Sequence, residues 1–145
     1  MTAAGNPGGK RRIADVSIGQ SLPERAYTPD NIQLFFYNAV LWNAHRIHYD
    51  LPYATEAEGY PGLVIAGPLL GDWLTQCVLE WLDGGGDLVS FEYSNRLASY
   101  IGETLTVGGS VTAIENDSGV VELELAVRNE AGDIITPGTA RVRFL

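Results

Sequence analysis

Residues 67–86 read GPLLGDWLTQCVLEWLDGGG, and this stretch decides the fold. Leu69, Leu70, Trp73, Leu74, Cys77, Val78, Trp81 and Leu82 recur at helical spacing and form an apolar face too wide for a helix that meets only one neighbour. The spacing predicts a helix over about 68–82, with Pro68 at its first position, where a missing N–H is harmless, and with the DGGG at 83–86 ending it. Such a helix must be wrapped, and the chain after it supplies strands. Val89, Phe91 and Tyr93 alternate with polar neighbours, Leu105, Val107 and Val111 flank Gly108 and Gly109, Val121 to Val127 alternate with Glu122 and Glu124, and Ala140, Val142 and Phe144 alternate with Arg141 and Arg143. Turn signals separate them at Asn116 to Gly119 and Asn129 to Asp133. The expected class is α+β, an antiparallel sheet curled around one long central helix.

Upstream, Thr28-Pro29-Asp30 reads as the start of a first helix: a hydroxyl cap, a proline at the first position and an acid in the first turn. Ile32, Phe35, Phe36, Ala39 and Val40 carry it to about Trp42 as its apolar face. Residues 1–12, MTAAGNPGGKRR, are too small and polar to form a core and are expected to be a disordered arm, with one domain over 13–145. The 145 residues carry 9 Lys and Arg against 18 Asp and Glu, a net charge of −9, and three of the basic residues sit together in that arm. Binding along a nucleic acid backbone is therefore not expected. The single cysteine, Cys77, has no partner in the chain and suits a packed thiol in a reducing compartment. No apolar run approaches the roughly 18 residues that span a bilayer, and the start has no apolar leader segment. The reading is a cytoplasmic protein not embedded in a membrane.

Between the two helices stands NAHRIHYD, residues 43–50, which holds both histidines of the chain. The longer stretch FYNAVLWNAHRIHYDLPYATEAEGYPGLVIAGPLL, residues 36–70, resembles the MaoC-like hot-dog-fold dehydratases and hydratases. The branch it is most similar to contains hydroxyacyl-thioester dehydratase type 2 and the mesaconyl-CoA hydratases. The wider family's motif is Asp-x-Asn-Pro-x-His, followed about twenty residues later by a glycine that starts the central helix. Laid on this chain, Asn43 takes the aspartate position, His45 the asparagine, Arg46 the proline, His48 the catalytic histidine and Gly67 the helix-start glycine. The last two match and the first three depart, in a way the named branch shares. The resemblance implies a single hot-dog fold, an acyl-CoA or acyl carrier thioester as substrate, no cofactor and no metal. It also implies a homodimer or a heteromer with a paralogous hot-dog subunit.

The chemistry can be read beside this. Reversible hydration of an enoyl thioester passes through or near an enolate, so the site must hold negative charge on the thioester oxygen. A helix N-terminus offers free N–H groups and a positive dipole end, and Gly67, lacking a side chain, lets a carbonyl approach. His48 has the pKa range for a proton-transfer group. Asn43 can orient water but cannot take a proton. His45 and Arg46 are expected to hold the loop, while Tyr60, Pro68 and Arg96 are expected to contact substrate.

Other readings stay open at this point. His48 could be a structural loop histidine, Asn43 a helix C-cap, and Gly67 only a tight helix start. Both histidines could bind one metal, which needs a third ligand such as Asp50. Asp72 and Glu80 could be the carboxylates of a hot-dog thioesterase, or a polar stripe at a helix edge. A partner subunit with an impaired site is the further alternative, because the family aspartate is missing at Asn43.

Overall fold

The structure, a computed structural model, describes residues 9–145. Its elements in chain order are β1 (Arg25–Tyr27), α1 (Asn31–Val40), α2 (Gly67–Leu82), β2 (Gly86–Tyr93), β3 (Leu105–Glu115), β4 (Val120–Arg128) and β5 (Ile134–Phe144). Short 3-10 turns lie at Ile13–Asp15 and Arg46–His48, and a π-helical turn at Tyr53–Ala57. The strands form one antiparallel sheet in the order β1-β3-β4-β5-β2. It curls around α2 as a hot-dog fold.

The apolar pattern of α2 is realised without exception: Leu69, Leu70, Trp73, Leu74, Cys77, Val78, Trp81 and Leu82 are all buried. They meet the inward residues of β3, β4 and β5, among them Val107, Leu123, Leu125, Val127, Ala140 and Val142, in a single cluster. β1 is held to the helix by Tyr27, whose ring stacks on Trp73 at 4.3 Å. At the far end Asp83 adopts a left-handed conformation (φ 49°) and stops α2. There Arg11 sets its guanidinium 5.2 Å from the Trp81 ring centre, and its Nε donates to the Trp81 carbonyl. Of the arm expected over 1–12, residues 1–8 lie outside the described residues.

Four local expectations are corrected. Thr28 does not cap α1; Asp30 does, its carboxylate accepting from Gln33 N–H at 2.8 Å, while Thr28 pairs with Thr104. The stripe of α1 that is buried is Leu34 and Asn38, whereas Ile32, Phe35, Phe36 and Val40 face solvent, because no element among the described residues covers them. In β2 a bulge between Leu88 and Ser90 shifts the pleat. Leu88 and Phe91 therefore pack on the core and Val89 is exposed. Pro68 is the second residue of α2, with Gly67 first and Ala66 at the cap position.

Candidate active site

The histidine loop begins where α1 ends. Asn43 N–H donates to the Asn38 carbonyl (2.8 Å) and Trp42 N–H to that of Ala39 (3.2 Å), the paired bonds of a Schellman ending. Trp42 occupies the left-handed position of that motif (φ 59°), where glycine is usual, and is 92% exposed. Asn43 then turns the chain again, its Oδ1 accepting from His45 N–H at 3.1 Å. Asn43 therefore does serve the helix end, and its side-chain oxygen is already engaged within the loop. It also lines an open apolar groove of about 440 Å³ with Phe35, Ala39, Trp42 and Tyr49.

His48 is buried, and the chain grips it from two sides. Val64 N–H donates to the Ile47 carbonyl (3.0 Å), and His48 Nδ1 lies 2.7 Å from the Val64 carbonyl oxygen. A carbonyl only accepts, so Nδ1 carries the proton, and the neutral ring keeps its lone pair on Nε2. Burial holds the His48 pKa below the ordinary histidine value, partly opposed by the Val64 carbonyl, and the nearby His45 pushes the same way as burial. The two imidazoles stand edge to face, 5.5 Å apart.

Arg46 and Asp50 form a pair at 2.8 Å, and the Arg46 guanidinium lies 4.2 Å from the Tyr53 ring centre. That ion pair holds the Asp50 carboxyl below, and the Arg46 guanidinium above, their usual ranges. Asp50 also accepts from Tyr53 N–H at 3.2 Å, which ties the loop to the π-helical turn. The carboxylate that a two-histidine metal site would need is thus committed to Arg46, and His48 Nδ1 to Val64.

Val64 is three residues before Gly67, so the strap that fixes the imidazole leads directly into α2. In the first turn of α2, Pro68 has no N–H and Leu69 N–H bonds to the Ala66 carbonyl at 3.0 Å. Among the described residues no side chain caps this helix. Gly67 N–H is left without a protein acceptor among the described residues. A Cβ at Gly67 would collide with the side-chain amide of Asn95, and one at Gly71 with the Tyr93 ring, so the segment leaving β2 lies close over this end of the helix.

The remaining expected residues are more scattered. Tyr60 is half-buried, its ring 6.3 Å from that of Tyr100. Pro68 is exposed beside Gly67. Arg96 is exposed, and its Nε donates to Ser94 Oγ at 3.0 Å. Asp72 accepts from Tyr37 OH at 2.6 Å and Glu80 pairs with Arg25 at 2.7 Å, so both carboxylates tie α2 to its neighbours. Cys77 is buried, and burial raises its thiol pKa to about 11. Sequence reasoning missed Asn95, which reaches Gly67 across 28 positions with no spacing rule to announce it.

A profile of the family described as hydroxyacyl-thioester dehydratase type 2 matches residues 6–101, which include the whole histidine loop and α2. The chain belongs to this family. Within the family's reach, the chain is 59% identical over 46 residues to mesaconyl-C(4)-CoA hydratase of Chloroflexus aurantiacus, a span that is 32% of this chain and 16% of that protein. It is 47% identical over 53 residues to the mitochondrial hydroxyacyl-thioester dehydratase type 2 of Schizosaccharomyces pombe, 35% of this chain and 18% of the relative. Both matches thus cover less than a fifth of the relatives' own length. Among solved structures, the (R)-hydratase of A. caviae superposes with a TM-score of 0.82 at 18% identity, covering 90% of this chain and 98% of that one. R-hydratase PhaJ1 of Pseudomonas aeruginosa superposes with a TM-score of 0.84 at 20% identity, covering 93% and 86%. At these identities the likeness shows the fold alone. Among the described residues no helix is long and apolar enough to cross a membrane.

Proposed function

We propose that the chain catalyses the reversible hydration of an enoyl thioester to a 3-hydroxyacyl thioester, with coenzyme A as the carrier. The observation that carries this is the buried His48, its Nδ1 proton given to Val64 and its Nε2 left basic, on the strap that delivers the free Gly67 N–H. In the hydration direction Nε2 takes a proton from water as the water oxygen bonds to C3 of the enoyl group. The C2–C3 π electrons move toward the thioester oxygen, which Gly67 N–H holds. The His48 imidazolium then returns a proton to C2, and dehydration is the same path reversed. Asn43, its Oδ1 committed to the loop, has its Nδ2 to present to the water. Tyr60 and Pro68 flank the substrate in this reading, and Arg96 meets a phosphate of the carrier. The apolar groove beside Asn43 is room for the acyl group. His45 and Arg46 hold the loop. The relatives' names, a hydratase of an acyl-CoA and a dehydratase of hydroxyacyl thioesters, support the reaction.

A second reading has its own observation. Ile32, Phe35, Phe36 and Val40 leave one face of α1 apolar and exposed, and Leu41 and Trp42 in the turn after it are exposed too, a patch of the kind that marks an interface. We infer that the chain works as a dimer, with itself or with a paralogous hot-dog subunit, and in the second case its own site could be silent until paired. Its buried, unpaired cysteine suits the reducing cytoplasm. Incubating the purified chain with crotonyl-CoA and a longer enoyl-CoA separates these readings. Loss of enoyl absorbance without free thiol is the expected result. Free thiol would make it a thioesterase instead, and neither signal would favour the partner-dependent subunit.

A further inference from the structure

We infer that Asn95 is a substrate-binding residue, supplying a second hydrogen-bond donor beside Gly67 N–H, and that Thr136 positions it. This rests on the hydration reading above. The segment that carries Asn95 is fastened on both sides. Ser94 N–H donates to the Pro137 carbonyl (3.1 Å) and Arg96 N–H to that of Ile135 (2.8 Å), which ties it to β5. Ile65 N–H donates to the Ser99 carbonyl (2.9 Å) and Ile101 N–H to that of Leu63 (3.2 Å), which ties it to the strap before α2. Asn95 is thus built into the wall that faces the start of the helix.

Its amide is oriented as well as placed. Thr136, 0% exposed, donates from Oγ1 to Asn95 Oδ1 at 2.9 Å. With the oxygen turned to Thr136, Nδ2 is the atom that stands over Gly67, in the space a Cβ there would fill. Nδ2 has no acceptor among the described residues, and the residue remains open to solvent. This is the reverse of a helix cap. A group that merely satisfies a helix start presents an oxygen to the free N–H groups and the positive dipole end. Here an unpaired donor stands beside the residue whose own N–H is free, and two unpaired donors at one helix start call for an acceptor from outside the protein. A thioester oxygen gathering negative charge is such an acceptor.

The test compares Asn95→Ala, Asn95→Asp and Thr136→Val with the parent, on an enoyl-CoA that the parent hydrates. Asn95→Ala is expected to lower kcat on the order of 10²-fold, the scale for losing one preorganised donor, with KM within a few-fold. Asn95→Asp puts an anion at the helix start, where it competes with the substrate oxygen. It should lose at least as much activity while its unfolding midpoint holds or rises. Thr136→Val should lose about 10-fold in kcat, and adding it to Asn95→Ala should cost little more, since the hydroxyl acts only through the amide. Should the buried valine prevent folding, the two Asn95 variants decide alone. Turnover within about 3-fold of the parent in either Asn95 variant, measured against that expected scale, would overturn the inference and leave the hydration reading standing. A parent that hydrates no enoyl-CoA overturns the hydration reading itself, before any variant is compared.

Discussion

His48 and His45 are three positions apart, and the fold treats them differently: one is buried and tied to Val64, the other exposed. His48→Ala is expected to lower kcat on the order of 10²–10⁴-fold with KM within a few-fold, because proton transfer acts in the transition state. His45→Asn should be the mildest change in the loop. If steady-state kinetics rank them the other way, the roles are exchanged. Asn43→Ala should lower kcat, whereas Asn43→Asp, which restores the wider family's carboxylate, should retain measurable turnover. The pH dependence follows from burial. Because the folded-state pKa of His48 lies below its unfolded value of about 6.5, the unfolded chain takes up its proton first as pH falls. The stability this residue contributes is complete above about pH 6.5 and is lost as pH falls through the folded-state value. The unfolding midpoint of the parent should therefore drop more between pH 7 and pH 5 than that of His48→Gln. Parallel curves for the two proteins would refute the assignment.

At the scale of elements, α1 and its ending carry the tension. Trp42 holds a left-handed backbone that disfavours a bulky side chain, and its own side chain is 92% exposed. Strain of this kind persists where the surroundings over-determine it, and here it sets the direction in which Asn43 and the histidine loop leave the helix. Trp42→Gly is expected to stabilise the monomeric chain by about 1 kcal/mol, the scale of the left-handed penalty, in denaturant unfolding at low protein concentration. A destabilised variant would mean that the indole makes contacts in solution that outweigh the strain. The helical periodicity of residues 32–40 was legible, but the side of α1 that is buried was not. Periodicity shows that a face is apolar without telling whether the same chain supplies its cover, and here Leu34 and Asn38 turn inward while the larger stripe stays outside.

For the whole molecule, that uncovered stripe bears on assembly. Six large apolar residues from Ile32 to Trp42 stand exposed on α1 and the turn that ends it, in a chain whose α2 is wrapped by its own sheet. Sedimentation at micromolar concentration should show a dimer or larger species, and Phe36→Glu with Val40→Glu should shift it to monomer without unfolding it. A parent that sediments only as a monomer would remove the interface. The acidic character of the chain, net −9, predicts that added salt leaves this association intact or strengthens it, as expected for apolar contact between like-charged surfaces.

The sequence by itself determined the architecture and the loop. An apolar face as wide as that of α2 must be buried on several sides, and the period-2 runs of β3, β4 and β5 make a curled sheet the cover this chain supplies. The motif from Asn43 to Gly67 was equally legible, since its residues are close along the chain and few in type. Only the tertiary structure decided what reaches that motif from elsewhere. The lone pair of His48 is assigned by the carbonyl of Val64, the donor of Gly67 is left free while Pro68 has none and Leu69 bonds to Ala66, and Asn95 arrives beside it from the end of β2, turned by Thr136 on β5. Such contacts depend on strand register and on which end of an amide is hydrogen-bonded. Neither has a period that a linear sequence can display.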